Sequence, residues 1–156
     1  RKYESLIEGN ISYPYYEKIR EKVFSLQNHL EEIGVDRKSC HIDLVPENFI
    51  ESPQGRLYLI DWEYSSMNDP MWDLAALFLE SEFTRQEEET FLSHYESEQT
   101  PVSREKIAIY KILQDAIWSL WTVYKEEQGA DFGDYGVNRY QRAVKGLSYY
   151  GGSDEK

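Results

Sequence analysis

Residues 40–65 read CHIDLVPENFIESPQGRLYLIDWEYS, and two short apolar runs within them carry polar side chains at their ends. NFIE (48–51) and RLYLIDW (56–62) have the composition of strands, and SPQG between them is a turn, so the stretch reads as a β-hairpin. His41 and Asp43 precede the first strand, Asn48 opens it, and Asp61 comes at the end of the second apolar run. A hairpin with polar ends is the plain reading. The spacing supports a chemical one. Phosphoryl transfer to a hydroxyl needs a base near the attacking oxygen and cations that hold the phosphates. Asp43 is placed to accept the hydroxyl proton. Asn48, five residues on, offers a neutral oxygen to magnesium, and Asp61 returns beside it across the hairpin with a carboxylate. Magnesium takes hard oxygen ligands and keeps several waters, so these two side chains and the phosphates of ATP suffice. His41, two residues before the base, is expected to bond backbone and hold the loop. Asp73, farther on, is expected to brace that loop by accepting its amides.

The rest of the composition sets bounds. The chain has 156 residues, 40% of them hydrophobic and 15% aromatic, including 13 Tyr and 4 Trp, which is ample for one folded domain spanning 1–156. A formal net charge of -12 argues against non-specific binding to nucleic acid or anionic lipid and is compatible with a cationic substrate. The single Cys40 makes no internal disulfide, and there is no zinc-type Cys/His spacing, so a reducing, cytoplasmic setting is expected. No apolar run approaches the ~20 residues of a membrane span, and no signal-peptide pattern opens the chain. The start, RKYESLIEG, has no initiator Met, which suggests a piece of something longer.

Helical patterns dominate outside the hairpin. Ile19, Val23, Leu26, Leu30 and Ile33 recur at helical spacing ahead of Gly34. DPMWDLAALFLE (69–80) is a helix with Asp69 as N-cap and Pro70 in the first position, and Thr84 with Glu87 forms a capping box for the next. A long helix is expected from about Pro101 to Gln128, and a last one from about Tyr135 to Tyr149. Residues 1–12 and 151–156 are expected to be loosely held. The fold class is therefore mainly α with one small β-hairpin, and it lacks the strands of an independent α/β nucleotide-binding sheet.

The acceptor is suggested by aromatic residues. A quaternary ammonium has no N–H to donate and must be read by ring faces, assisted by carboxylate charge. Trp118 and Trp121 lie three apart and share one helix face, and Tyr64 follows Asp61 by three. Glu80 and Asp115 are secondary candidates for charge complementarity. Aromatics at helical spacing also build ordinary cores, and Ile117, Leu120 and Val123 show that this helix buries an apolar face too. An aminoglycoside, rich in hydroxyls and primary amines, would favour a more acidic and less aromatic pocket, and ethanolamine would gain less from paired indoles.

CHIDLVPENFI, LYLIDWEYSSMNDPMWDLAALFLE and IWSLWTVY together resemble the choline/ethanolamine kinase family, most of all its bacterial LicA-type branch, relatives of the aminoglycoside phosphotransferases and protein kinases. The resemblance covers roughly residues 10–150, with the three segments in family order. It implies the C-terminal, helical lobe of a protein-kinase-like fold. Within it, Asp43 matches the catalytic base, Asn48 and Asp61 the magnesium ligands, and His41 and Asp73 the loop supports. Tyr64, Trp118 and Trp121 match residues that line the choline site. No glycine-rich loop or lysine-bearing strand is found among the 40 residues before His41. The N-terminal lobe that clamps ATP is thus expected to be missing, and the chain alone to be inactive or nearly so. The alternatives are a kinase for ethanolamine, another amino alcohol or an aminoglycoside, or a non-catalytic choline-binding module.

Overall fold

The computed structural model of the chain describes residues 2–151. Its five helices are α1 (Tyr16–Ile33), α2 (Pro70–Glu80), α3 (Arg85–Tyr95), α4 (Arg104–Glu127) and α5 (Tyr135–Gly151). Four three-residue strands accompany them, β1 (Lys38–Cys40), β2 (Phe49–Glu51), β3 (Leu57–Leu59) and β4 (Ser66–Asn68). The chain divides into two compact units, residues 34–110 and residues 1–33 with 111–156, and α4 begins in the former and ends in the latter.

In the 34–110 unit the expected hairpin is present. β2 pairs antiparallel with β3 in the register Phe49↔Leu59, Ile50↔Tyr58 and Glu51↔Leu57, and Gly55 turns the chain at a φ of 75°. A second ladder accompanies it, which corrects the single hairpin expected. β1 pairs antiparallel with β4, Lys38 opposite Asn68 and Cys40 opposite Ser66. KSC and SMN carry no alternation of β-branched residues, so local preference does not mark them as strands, and their pairing is a tertiary effect. The consequence is positional. β1 ends one residue before His41 and β4 one residue before Asp69, so the ladder pins the loop that starts at His41 beside the start of α2. Asp69 caps α2 by accepting from the Met71 amide at 2.9 Å. Fully buried, it also accepts from Lys106 Nζ at 3.0 Å and the Asp36 amide at 3.2 Å. The capping box of α3 forms as expected. Met71, Leu74, Ala75, Phe78, Leu92, Ile107 and Ile109 are the buried apolar centre.

In the other unit, α1 buries Leu26 and Leu30 and stops at Gly34, which takes a φ of 85°. The stretch before Pro14, expected to be loosely held, is instead stitched by hydrogen bonds. The Glu8 and Gly9 amides donate to the Glu127 carboxylate at 3.1 and 2.7 Å. Glu4 accepts from the Tyr16 hydroxyl at 2.6 Å and from the Arg20 guanidinium. Burial works to raise the Glu4 carboxyl, but its hydrogen bonds, those from Tyr16 and Arg20 first, prevail and hold its pKa at about 2. The expected loose tail at 151–156 lies, apart from the Gly151 backbone, outside the described residues. Where α5 passes α4, Gly146 has no room for a side chain: a Cβ there would sit 2.7 Å from Ile112 Cγ1.

Replacing Gly146 sets two effects against each other. Alanine is the better helix former by about 1 kcal/mol, while forcing a methyl into a filled contact costs about 1–3 kcal/mol. Overpacking should win, so Gly146→Ala should lower the urea midpoint through a net loss of up to about 2 kcal/mol, with the m-value unchanged.

Candidate active site

The loop from His41 to Asn48 is held by α2. Asp73, in the first turn of that helix, accepts the His41 amide on Oδ2 at 2.7 Å and the Ile42 amide on Oδ1 at 2.9 Å. Between them the backbone takes an unfavourable shape. Ile42 has a φ of 76°, a region that a β-branched residue occupies only at a cost of about 1–3 kcal/mol. The carbonyl of the same residue accepts from Trp72 Nε1 at 3.1 Å. Two neighbouring residues of α2 therefore grip the strained peptide, one on its N–H and one on its C=O. Burial raises the Asp73 carboxyl, opposed by the two backbone N–H bonds it accepts.

His41 is 1% exposed, and its Nε2 lies 2.8 Å from the Ile60 carbonyl oxygen. A carbonyl only accepts, so Nε2–H is the donor. The ring also meets Trp62 edge-on, with centroids 4.8 Å apart. The imidazole thus ties the loop to the end of the hairpin's second strand. Its Nδ1 has no hydrogen-bond partner among the described residues.

Asn48 is buried, and its side-chain nitrogen faces the Asp43 residue, 2.9 Å from the carbonyl oxygen and 3.5 Å from Oδ2. That orientation turns the amide oxygen away, and it accepts no hydrogen bond among the described residues. The hairpin ladder extends one step beyond β2 and β3, because the Ile60 amide donates to the Asn48 carbonyl at 2.9 Å. Asp61 follows directly, exposed and turned by a φ of 61°. The phenol of Tyr64 is raised, first by its hydrogen bond to Glu63 and the charge of that residue, and further by the charges of Asp43 and Asp61. Those two carboxylates therefore act on one ring. Tyr64 is 61% exposed.

No group of three or more His, Cys, Asp or Glu side chains suited to a metal is found among the described residues. The oxygen set here is one free amide oxygen on Asn48 and one exposed carboxylate on Asp61. That set fits magnesium, which prefers hard oxygens and completes its shell with water and phosphate, and fits zinc poorly, which favours nitrogen and sulfur.

The aromatic residues belong to the other unit. Trp118 and Trp121, both half-buried, meet edge to face with centroids 5.8 Å apart. Phe132 lies 4.9 Å from Trp121 and Tyr135 6.5 Å from Phe132, so four rings form a partly open row. The last two were not singled out from the sequence. GADFGDYG looks like turn chemistry, and the one available signal was an aromatic residue set between glycines, Gly129 and Gly133 at φ of 89° and 52°. Trp72 was missed for another reason: an indole N–H aimed at a backbone carbonyl leaves no periodic trace.

Asp115 requires a correction. It is buried, and both oxygens are occupied: Oδ1 by Arg139 Nη1 at 3.0 Å and Arg142 Nη2 at 2.7 Å, Oδ2 by Arg142 Nε at 2.6 Å. With two guanidiniums on one carboxylate, no charge is left for a bound cation. Arg139 also donates to the Tyr135 hydroxyl at 2.8 Å. Glu80 is the half-buried last residue of α2, in the 34–110 unit with Tyr64.

Comparison with known proteins gives these residues a context. The family model described as choline/ethanolamine kinase matches residues 2–111. The protein LicA of Haemophilus influenzae is 33% identical over 154 residues, covering 93% of this chain and 57% of its own length. The crystal structure of choline kinase LicA from Streptococcus pneumoniae is 85% identical, with a TM-score of 0.92, covering 96% of this chain and 53% of that one. A crystal structure of LicA in complex with AMP matches with the same identity and TM-score, covering 96% of this chain and 52% of that one. The chain spans about half the length of the curated relatives it matches.

Two measurements probe the loop. Trp72→Phe keeps the ring against Tyr110, 5.8 Å away, and removes the indole N–H. It should destabilise by about 1 kcal/mol, whereas Asp73→Ala strands two backbone donors and should cost about 2–4 kcal/mol, both read from urea midpoints and amide exchange at His41 and Ile42. Burial, and then the Asp73 charge, push the Cys40 thiol up to about 11. At pH 8 the native thiol should react with iodoacetamide at least about a hundredfold more slowly than in urea, where an ordinary thiol near 8.5 returns.

Proposed function

We propose, from the premise that the chain belongs to the choline/ethanolamine kinase family, that it is the catalytic and acceptor-binding lobe of a longer ATP- and magnesium-dependent kinase. Its reaction is transfer of the γ-phosphoryl group of ATP to the hydroxyl of choline. The observation that carries this reading is the posture of Asn48: its nitrogen is spent on Asp43, and its oxygen is left unengaged one ladder step from Asp61. Among the described residues only His41 Nδ1 is a buried side-chain polar atom without a partner, so the unengaged Asn48 oxygen keeps access to solvent and can be reached by a ligand.

In this mechanism Asp43 accepts the proton of the attacking hydroxyl through a carboxylate oxygen, as geometry close to Asn48 allows. Asn48 and Asp61 would hold magnesium, which when bound neutralises charge on the phosphates. His41, Asp73 and Trp72 do no chemistry; they hold the loop so that Asp43 and Asn48 keep one orientation. Nucleotide binding is supported by the relative solved with AMP. The fold carries no phosphate clamp of its own among the described residues, so positioning of ATP falls to the N-terminal lobe of the parent, and the isolated chain is inactive or nearly so.

The acceptor is chosen by what the aromatic row offers. Trp118, Trp121 and Phe132 offer aromatic rings, the Tyr135 ring lies under the Arg139 guanidinium at 4.9 Å, and Asp115, one turn before Trp118, is neutralised by two arginines. Such a surface suits a quaternary ammonium, which needs no acceptor for an N–H, better than a primary one. Tyr64 is kept as an acceptor-binding residue on the family resemblance alone. The place of action is the cytoplasm, where ATP is available, and no described helix is long and apolar enough to cross a membrane.

A coupled ADP-release assay on the full-length parent tests the reaction. Asp43→Ala should lower choline phosphorylation by about 10²–10⁴-fold, and equal rates in the two proteins would reject the kinase mechanism. For the acceptor, Trp121→Leu should reduce kcat/KM for choline about 2–30-fold more than for ethanolamine, corresponding to 0.5–2 kcal/mol of cation–π attraction. Equal losses would remove the argument for a quaternary substrate.

A further inference from the structure

The unit of residues 1–33 and 111–156 contains a cavity of about 530 Å³ that none of the roles above employs. Tyr13, Tyr15 and Tyr140 line it, together with Val137 and Glu126, and none of the four rings of the aromatic row does. Three features of this lining point in one direction.

The first is how the tyrosines are oriented chemically. Tyr13 and Tyr140 stack with centroids 4.3 Å apart and planes 12° from parallel. Both hydroxyls are already committed as donors to backbone, Tyr13 to the Ser119 carbonyl at 3.0 Å and Tyr140 to the Pro14 carbonyl at 2.7 Å. To a ligand this pair offers π surface and little else.

The second is strain at an exposed aromatic. Tyr15 has a φ of 57° and is 83% exposed. A bulky residue in the left-handed region is unfavourable, and this one recovers nothing by burying its ring. Its carbonyl accepts the Ile19 amide at 3.1 Å, a bond that glycine at the same position would make as well. Folding alone gives no reason for a tyrosine here.

The third is charge. Glu126 is the one charged residue in the lining, and no Lys or Arg contributes. Burial, and then the Glu126 carboxylate, push the Tyr13 phenol up to about 12, so that charge reaches the stacked pair. An anion would be repelled. A cation would meet both the carboxylate and the ring faces.

We propose that this cavity is a second binding site, for an organic ammonium ion with an apolar body, separate from the row formed by Trp118, Trp121, Phe132 and Tyr135. The inference does not require the kinase mechanism, because it stands on the cavity, the three tyrosines and Glu126. The two sites nevertheless share a segment. Gly133 and Gly136 line the cavity, and Tyr135 of the row lies between them. A Cβ on Gly136 would lie 2.8 Å from both Thr122 and the Tyr13 hydroxyl, which leaves that wall no slack.

Choline and its neutral isostere 3,3-dimethyl-1-butanol are suitable probes, with NMR of the tyrosine and tryptophan rings of this chain as the readout. Choline should shift Tyr13, Tyr15 and Tyr140 with a millimolar Kd, and the response should survive Trp121→Leu. Glu126→Gln should weaken it about 3–10-fold, and the neutral isostere should bind at least as weakly as choline does to that variant. Tyr15→Gly is the sharpest variant, because it relieves the strained φ while removing the ring. It should raise the urea midpoint and weaken choline at the cavity several-fold. Cavity tyrosines that ignore choline, a response lost with Trp121→Leu, equal binding of the isostere, or unchanged binding in Tyr15→Gly would each overturn the proposal. Failure of the row alone would appear at the Trp118 and Trp121 rings, and so can be told apart.

Discussion

Two hydrogen bonds into one carboxylate organise the loop on which the proposed chemistry depends. Asp73 accepts the amides of His41 and Ile42 at 2.7 and 2.9 Å, and these are the donors that a loop bent through a left-handed residue cannot satisfy within itself. Buried backbone N–H groups left unpaired are costly, so the carboxylate does more than add a bond: it makes the bend tolerable. The β1–β4 ladder explains why it can. By joining Cys40 to Ser66 it brings the start of the loop and the start of α2 within reach of each other. A helix N-terminus is also where a carboxylate is favoured by the aligned peptide dipoles, which partly offsets the burial that raises the Asp73 pKa.

The same unit carries strain at two of the positions that matter. Ile42 and Asp61 both have positive φ, and neither is glycine. Each is held by neighbours. Ile42 is gripped on its N–H by Asp73 and on its C=O by Trp72. Asp61 follows Ile60, whose N–H is bound by the Asn48 carbonyl and whose C=O is bound by His41 Nε2. Strained backbone persists only where its surroundings over-determine it. In this protein the over-determination runs through His41, which connects the two strained points by one imidazole. This is a sufficient reason for a histidine two residues before Asp43 without giving it a proton to transfer.

Much of the fold was legible because its signals are local. The helical spacing from Ile19 to Ile33, the Asp69–Pro70 start and the Thr84/Glu87 box each use side chains within a few residues of one another, and the elements stand where those side chains put them. The β2–β3 hairpin was legible for the same reason, a turn flanked by apolar runs. What escaped was non-local. β1 and β4 are 25 residues apart and too short and polar to announce themselves. The role of Asp115 escaped because a charge one turn before Trp118 looks available until Arg139 and Arg142, on another helix, are seen to occupy it. The N-terminal stretch looked loose because Glu127, the partner of the Glu8 and Gly9 amides, lies more than a hundred residues away. Composition cannot reveal a partner supplied by folding.

The fate of Asp115 also bears on selectivity. A carboxylate flanked by two guanidiniums has given up its water and gained two charge-assisted partners, and withdrawing it to meet a ligand would leave an arginine 5% exposed with its charge uncompensated. The group is therefore structural. A primary ammonium entering beside Trp118 would lose hydration at each N–H and find no free acceptor on Asp115. A quaternary ammonium has weaker hydration to lose and spreads its charge over methyl groups that ring faces can meet. Under the proposed function, discrimination thus arises as much from an acceptor that folding has removed as from the rings that remain.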